Sequence, residues 1–350
     1  MTHPLFDQYP QLSNAIPTEA LLEAPTPVSQ FSDNLWIKHD DQTSKVYGGN
    51  KVRKLEFVLA AAKANGKRKV VTFGALGTNH GVATATFCNQ LGIDCQIYLF
   101  DQPVTPTVKT NLKHMVANGA QLIHTGSLAN TVLRFYGAQA LNLRDCFLPA
   151  GGSSPLGCVG FVNAAFELKQ QIESGLLPKP DYIVCAVGSS GMLAGLTLGC
   201  ALAGLETQVK GIRVAPSHLG PVPICTTGSV TALMSRTVKL LQQYVPDLAG
   251  STDLQNLPVN LSSAFFGDGY GVASHAGDQA MAAMAKKGVA LDATYTAKAA
   301  AAALQLRERE PHSQVLYWHT FNAANPDISI TEPQLRRQPK RVAAIISEKE

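Results

Sequence analysis

The segment "YIVCAVGSSGMLAGL", Tyr182–Leu196, carries the successive signals of one local fold. Six apolar or aromatic residues predict a buried strand, Gly188 and Gly191 predict a tight turn, and "GMLAGL" begins an apolar helix. Such strand-turn-helix units build parallel sheets, because the helix carries the chain back to the start of a neighbouring strand. The segment therefore predicts an α/β fold.

Similar apolar runs occur along the chain at "KVVTFG", "CQIYLF", "VKGIRVAP" and "QVLYWHT", which begin at residues 69, 95, 209 and 314. Helical patterns of about ten or more residues separate them, which indicates βαβ units and a mainly parallel sheet. At 350 residues the chain exceeds the usual size of one hydrophobic core, so we expect two domains. Ligands of such folds bind in the loops that lead from strands to helices.

The composition argues against several classes of function. The net charge of +4 is small for 37.2 kDa and the basic residues form no long stripe, so neither nucleic acid nor membrane is expected as a partner. The seven cysteines form no C-x-x-C pair and the nine histidines no H-E-x-x-H motif, so we expect packed thiols and no metal site. The start "MTHPLFDQYP" resembles no targeting segment, which favours the cytoplasm.

The loop "GSSGMLAGL", which begins at Gly188, has the outline of a phosphate site. Its small residues let the backbone approach an anion, and the first amides of the following helix point at that position. A tight turn that binds nothing is the alternative. A dinucleotide is disfavoured, because the spacing is G-x-x-G and the next strand, "VKGIRVAP", ends without the acid that would hold a ribose hydroxyl.

The segment "YGGNKVRKLE", Tyr47–Glu56, places three cations in the first turn of a predicted helix, where the helix dipole disfavours them. Arg53 and Lys54 could extend into water. Lys51 is fixed behind two glycines, where the dipole and its charged neighbours should lower the pKa of its amine, as a Schiff-base lysine requires. A lysine for an aldehyde and a cradle for a phosphate together predict pyridoxal phosphate as the cofactor.

A third loop lies in "FGALGTNHGVATATFCNQLG", where the strand should end at Phe73 and a helix should begin near Asn79. Thr78, Asn79 and His80 occupy the cap and first turn of that helix, and capping alone could explain them. Since the loop follows the lysine helix by one strand, we expect it to open at the same edge of the sheet.

Six segments resemble, in the same order, the motifs of one enzyme family: "GGNKVRKLE", "GTNHGVATA", "PAGGSSPLGCVGFVNAAFEL", "VGSSGMLAGL", "LDATYTAKA" and "VLYWHT". The family comprises the pyridoxal-phosphate enzymes grouped as D-cysteine desulfhydrase and 1-aminocyclopropane-1-carboxylate deaminase. The resemblance spans roughly Asn34 to Thr320. It implies the fold of tryptophan synthase β (fold type II), in which two mainly parallel α/β domains hold the cofactor between them.

The resemblance also implies the domain limits and the assembly. We expect residues 1–54 and 166–350 to form a larger cofactor-binding domain, 55–165 to form a smaller α/β domain, and two chains to form a homodimer. The charged tail, 334–350, is expected to be a solvated extension, although "VAAIIS" could pack.

Roles for individual residues follow from the resemblance. It makes Lys51 the Schiff-base lysine, has Asn79 bond the oxygen of the ring hydroxyl and has Thr320 meet the pyridine nitrogen. Thr78 stands where the family usually has a substrate-contacting serine. The two active-site tyrosines of the family match Tyr270 and Tyr295. The phosphate loop comprises Gly188, Ser189, Ser190, Gly191, Met192 and Leu193.

The implied reaction is elimination on a small amino acid, with the pyridine ring as the electron sink. D-cysteine would give sulfide, pyruvate and ammonia; the cyclopropane substrate would give a 2-oxo acid and ammonia. In the cyclopropane deaminases a glutamate follows the tyrosine matched by Tyr295, and here that residue is Thr296. A hydroxyl suits a good leaving group such as a thiolate, so we favour a D-cysteine desulfhydrase.

One segment departs from the family and keeps another function open. "HTFN", His319–Asn322, has Phe321 and Asn322 where the family usually has glycines, so a phenylalanine must fill the space beside the cofactor or turn away. A pyridoxal-phosphate-binding protein without lyase activity is therefore an alternative. A dehydrogenase is a third, weakened by the missing ribose acid.

Overall fold

A computed structural model describes residues 3–348 of the chain except 221, 249, 251, 255, 325 and 327. The strands are β1 (Val28–Ser32), β2 (Leu35–His39), β3 (Lys69–Ala75), β4 (Asp94–Phe100), β5 (Gln121–Gly126), β6 (Cys146–Phe147), β7 (Tyr182–Val187), β8 (Gln208–Arg213), β9 (His218–Leu219), β10 (Val222–Pro223), β11 (Asn260–Ser262) and β12 (Val315–His319). The helices are α1 (Pro4–Gln8), α2 (Gln11–Ala15), α3 (Lys51–Ala64), α4 (Asn79–Gln90), α5 (Pro106–Ala117), α6 (Leu128–Leu141), α7 (Pro155–Glu173), α8 (Gly191–Ala203), α9 (Thr227–Gln242), α10 (His275–Ala285), α11 (Thr296–Arg309), α12 (Glu332–Arg336) and α13 (Lys340–Ser347).

The chain divides into two compact units. The first comprises Met1–Phe57 and Ser153–Ala324, and the second comprises Val58–Gly152 and Asn325–Glu350. The first division falls inside α3, three residues after the boundary expected from the sequence. The second division falls before α7, because that helix packs along its length on α8 and α9 of the first unit.

The first unit is built on a sheet with the strand order β1-β2-β12-β7-β8-β11. Only β1 pairs antiparallel among the described strands of this sheet, and the others run parallel. The side chains of β12 alternate between the two faces: Leu316 and Trp318 pack with α7 and α8, whereas Val315 and Tyr317 pack with α11. Helices therefore cover both faces of the sheet, as parallel sheets require.

The second unit has a parallel sheet with the order β5-β4-β3-β6. The five strands expected from apolar runs are all present, as β3, β4, β7, β8 and β12, and the predicted α/β class with mainly parallel sheets is confirmed. In the part of the chain that the structure describes, no helix is both long enough and apolar enough to cross a membrane.

The alternative that the "VAAIIS" segment of the tail packs is confirmed. Helix α13 packs against α5 and buries Val342, Ile345 and Ile346, whose spacing puts all three on one face of the helix. The "VAAIIS" segment therefore belongs to the core of the second unit. Residues 349 and 350 of the predicted tail lie outside the described residues.

Candidate active site

Lys51 begins α3, as the sequence predicts, and residues 47–50 before it form the lysine loop. The loop is fixed by backbone contacts: the amide of Gly49 donates to the carbonyl of Asp40 at 2.8 Å, and the Thr43 hydroxyl donates to the Gly49 carbonyl at 2.9 Å. Gly49 has φ +93°, a conformation that favours glycine. The glycines thus allow the sharp entry that places Lys51 at the helix start.

The amine of Lys51 is tuned toward neutrality. Its Nζ donates to Asn50 Oδ1 at 2.8 Å. Burial, reinforced by the positive charge of Lys54 and partly opposed by the carboxylate of Asp292, lowers the pKa of Lys51 to about 7. A large fraction of Lys51 is therefore unprotonated at neutral pH, as nucleophilic attack on a carbonyl and proton abstraction both require.

The alternative in which Arg53 extends into water is contradicted by the structure. Its side chain is fully buried, where it donates to Asp40 Oδ1 at 2.7 Å and to Glu167 Oε2 at 3.0 Å. Burial of Glu167 is outweighed by the charges of Arg53 and Lys38, which lower the pKa of Glu167 to about 2. Trp318 Nε1 also donates to Asp40, at 2.7 Å. Arg53 therefore joins α3 to α7 through Glu167 and, through Asp40, to β12. These three charged side chains form an ionic cluster with Lys38.

Lys54 is also buried, which again contradicts a solvated side chain. Its Nζ donates to Ser153 Oγ at 3.3 Å. Burial lowers the pKa of Lys54 to about 8, so the amine still carries a proton at neutral pH. Lys54 therefore places a positive charge beside the start of α8, which begins at Gly191.

The phosphate loop connects β7 to α8, as predicted. The Ser153 hydroxyl donates to the carbonyl of Ser189 and lies 3.0 Å from Ser189 Oγ. The Ser190 hydroxyl donates to the Ile224 carbonyl at 2.7 Å, and Ser190 has φ +46°, a conformation that is strained for a residue with a side chain. Bonds from outside the loop thus maintain its shape.

The loop fits a phosphate. A Cβ added at Gly191 would lie 2.8 Å from Ser153 Oγ and 2.9 Å from Lys54 Nζ, so glycine keeps that position open beside a hydroxyl and an ammonium group. The positive end of the α8 dipole lies at the same place. Backbone amides, hydroxyls and a lysine are the groups that proteins use to bind phosphate.

The two predicted tyrosines meet. The hydroxyls of Tyr270 and Tyr295 are hydrogen-bonded, with the rings edge to face at 5.9 Å. Tyr295 also lies against the phosphate loop, since a Cβ at Gly188 would be 3.4 Å from its ring. Burial, together with Tyr270 and Asp292, raises the pKa of Tyr295 well above its ordinary value, so this phenol stays protonated.

Asp292 organises the start of α11. Its carboxylate accepts hydrogen bonds from the amide of Tyr295 at 2.7 Å and from the Thr296 hydroxyl at 2.6 Å. Thr296 is 1% exposed, and its hydroxyl is engaged by the Asp292 carboxylate. Position 296, where the resemblance gives the cyclopropane deaminases a glutamate, thus holds a buried hydroxyl that is hydrogen-bonded to a carboxylate.

The segment after β12 carries Thr320, which follows the strand by one residue. The Phe321 ring lies parallel to the imidazole of His319, with 7° between the planes and 6.2 Å between the centroids. The His319 imidazole in turn lies 3.2 Å, through Nδ1, from the Tyr317 hydroxyl. Phe321 therefore continues the row of side chains on the face of β12 that packs on α11.

Thr78 and Asn79 belong to the second unit. Thr78 is the N-cap of α4, where its hydroxyl accepts from the Gly81 amide at 3.2 Å. Asn79 Oδ1 accepts from Asn111 Nδ2 at 2.8 Å, which orients the carboxamide. The capping role considered from the sequence is thus present for Thr78, and the cofactor and substrate roles remain predictions.

The sequence-based assignment missed three residues. Lys54, Ser153 and Asp292 all lie within segments quoted for the resemblance. A signal existed for Asp292, because an aspartate shortly before a helix often accepts hydrogen bonds from nearby backbone amides. Lys54 and Ser153 had none, since their contact joins positions 99 residues apart.

Solved structures of other proteins resemble this chain over most of its length. A solved structure described as an "ACC deaminase homologue" is 26% identical, with a TM-score of 0.73 over 93% of this chain and 96% of the other. An L-serine ammonia-lyase from Rhizomucor miehei (18% identity, TM-score 0.59, 89% and 96% covered) and threonine deaminase isoform 2 from Solanum lycopersicum (15%, 0.63, 99% and 89%) share the fold.

The fold implied by the resemblance, fold type II, is confirmed by these structures. The sequence profile of the family described as "Pyridoxal-phosphate dependent enzyme" matches residues 13–320. Because that match covers most of the 350 residues, the chain belongs to the family of pyridoxal-phosphate-dependent enzymes.

Proposed function

We propose that this protein is a D-cysteine desulfhydrase, which uses one water to convert D-cysteine into pyruvate, sulfide and ammonia. The observation that carries the proposal is Thr296, a hydroxyl where the cyclopropane deaminases of the resembling family have a glutamate. Its hydroxyl donates to Asp292, whose carboxylate also accepts hydrogen bonds from the backbone amides of Tyr295 and Thr296. Position 296 therefore provides no carboxylate that could keep the nitrogen of the cofactor ring protonated.

Pyridoxal phosphate supplies an aldehyde that condenses with an amine and a ring that accepts electrons from the α-carbon of the substrate. Lys51 would hold the cofactor and, once released by the substrate amine, would take the α-proton on Nζ. Its pKa of about 7 suits a base that must be neutral before the step and protonated after it. Asn50, which accepts from the same amine, would orient it.

The remaining groups bind and orient. The phosphate loop, Ser153 and Lys54 would hold the phosphate. Because Tyr295 stays protonated, its hydroxyl and that of Tyr270 would donate hydrogen bonds to the substrate or the departing sulfur rather than act as bases. Thr320 would meet the ring nitrogen, Asn79 the ring hydroxyl and Thr78 the substrate, as the resemblance implies.

The first prediction concerns the substrate. We expect the purified protein, supplied with pyridoxal phosphate, to release sulfide and pyruvate in equal amounts from D-cysteine. The expected value of kcat/KM is at least about 10-fold above that for 1-aminocyclopropane-1-carboxylate, since weak activation of the ring favours a good leaving group. Parallel assays of sulfide, 2-oxo acid and ammonia measure both reactions, with L-cysteine as the stereochemical control.

Faster release of ammonia from the cyclopropane substrate would overturn the proposal in favour of a cyclopropane deaminase. A cofactor adduct without turnover of either substrate would favour a pyridoxal-phosphate-binding carrier instead. The homodimer and the cytoplasmic location are part of the proposal; the latter is supported by the seven free cysteines, most of them buried.

The second prediction concerns Lys54. Pyridoxine 5′-phosphate lacks the aldehyde and so reports on phosphate binding without the Lys51 condensation. We expect Lys54→Met to weaken its binding about 10-fold at pH 7, the effect of one charge-assisted hydrogen bond. In the wild type, the affinity should fall as the pH rises through about 8, since Lys54 then loses its proton.

Calorimetric titration between pH 6.5 and 9.5 checks this prediction. Lys179→Met is the matched control, because Lys179 is an exposed lysine paired with Glu206. Equal affinities in the wild type and Lys54→Met at pH 7 would show that Lys54 does not bind the phosphate.

A further inference from the structure

The side chain of Asn322 is hydrogen-bonded to the lysine loop, residues 47–50. It lies three residues beyond β12, and its Oδ1 accepts from the Gly48 amide at 2.6 Å and from the Ala324 amide at 3.1 Å. Gly48 precedes Lys51 by three residues. One carboxamide oxygen thus joins the loop that presents Lys51 to the segment that carries Thr320.

The two segments are also in direct contact. A Cβ at Gly49 would lie 3.0 Å from the Thr320 carbonyl oxygen and 3.1 Å from the Phe321 carbonyl oxygen. The Ala323 amide donates to the Asp41 carbonyl at 3.3 Å, which ties the segment after β12 to the chain that leads into the lysine loop. The bond from Gly48 to Asn322 is therefore the centre of a packed contact and not an isolated link.

The hydrogen bond from Gly48 to Asn322 restrains the glycines of the lysine loop, which have the widest choice of backbone conformations. Consecutive glycines sample a wide range of backbone conformations, and Gly48 and Gly49 stand between Tyr47 and the start of α3. An amide that is fixed by a side-chain acceptor removes much of that freedom. A glycine at position 322, as the resembling family usually has, could not supply the acceptor.

We propose that Asn322 is a positioning residue, which holds the lysine loop so that the Lys51 amine is in place before the cofactor or the substrate arrives. The catalytic consequence rests on the proposed role of Lys51, whereas the restraint itself does not. Asn322 acts through Gly48 and makes no chemical contribution of its own.

Amide hydrogen exchange on the full-length protein without added cofactor tests the restraint. In Asn322→Ala, the peptide containing Gly48 and Lys51 should exchange on the order of 5-fold faster, the usual effect of losing one hydrogen bond. Asn322→Asp keeps an acceptor oxygen and should restore slow exchange. Ala323→Gly loosens the same segment but retains the bond, and should exchange at the wild-type rate in that peptide. Asn322→Gly gives the same readout should the alanine variant not fold.

A second readout links the restraint to function. The initial rate at which added pyridoxal phosphate forms a borohydride-reducible adduct should fall about 5-fold in Asn322→Ala and recover in Asn322→Asp. Unchanged exchange in the alanine variant, or equally fast exchange in both variants, would overturn the positioning role. Absence of any adduct in the wild type would instead refute the proposed function and leave the exchange result standing.

Discussion

Replacing Lys51 by alanine is expected to abolish the borohydride-reducible adduct and to lower turnover of D-cysteine by at least about 10³-fold, while the protein stays folded. Lys51 is the partly buried amine with a pKa of about 7, so its loss removes both the covalent anchor and the proposed base. Absorption after reduction and a sulfide assay measure the two effects. Far-ultraviolet circular dichroism checks that the helices remain.

The control for this prediction is the neighbouring lysine. Lys54→Met removes a buried amine of lowered pKa but leaves Lys51 in place, so it should weaken cofactor binding and keep the reducible adduct at saturating cofactor. Retention of the adduct in folded Lys51→Ala would mean that another lysine holds the cofactor.

Replacing Arg53 by alanine is expected to lower the free energy of unfolding by about 3–5 kcal/mol, the cost of leaving buried charges without their partner. Arg53 is fully buried between Asp40 and Glu167. Lys38, at 2.5 Å from Glu167, would be the remaining cation of the cluster. Urea-induced unfolding at pH 7 gives the difference.

The pH dependence of this loss of stability shows whether it comes from the ion pair between Arg53 and Glu167. Arg53 helps to hold the pKa of Glu167 near 2, below its unfolded value, so the stabilisation is present above about pH 4 and is lost as the pH falls toward 2. The deficit of Arg53→Ala should therefore shrink in acid. Arg336→Ala is the control: Arg336 pairs with Glu332 at the surface, and its loss should cost about 0.5 kcal/mol or less. A deficit of that size for Arg53→Ala would contradict the role of the cluster.

The fold was predictable where strands are apolar throughout. Central strands such as β7, with "YIVCAV", lie between two helical layers and so have the continuous apolar pattern that identifies them. Strand β2, "LWIKH", was missed, because Lys38 within it suggests a solvated position. Its ammonium is buried on Glu167 and Gln171, which no local pattern indicates.

The candidate site was predictable where function depends on local sequence. Lys51 and the phosphate loop lie at loop-to-helix junctions, whose glycines and helix starts can be identified directly. The burial of Arg53 and Lys54 could not be predicted from the helix dipole, because the partners of both side chains lie more than ten residues away in sequence. Whether a charged side chain is buried depends on such partners more than on its position in a helix.

The most direct test of the account is to locate the reduced cofactor. The wild-type protein is incubated with pyridoxal phosphate, reduced with borohydride, digested and sequenced by mass spectrometry. We expect one modified residue, Lys51, in the peptide that contains "GGNKVRKLE". A label on Lys54, Lys38 or Lys298, the other buried lysines of the described chain, or no label at all, would contradict it.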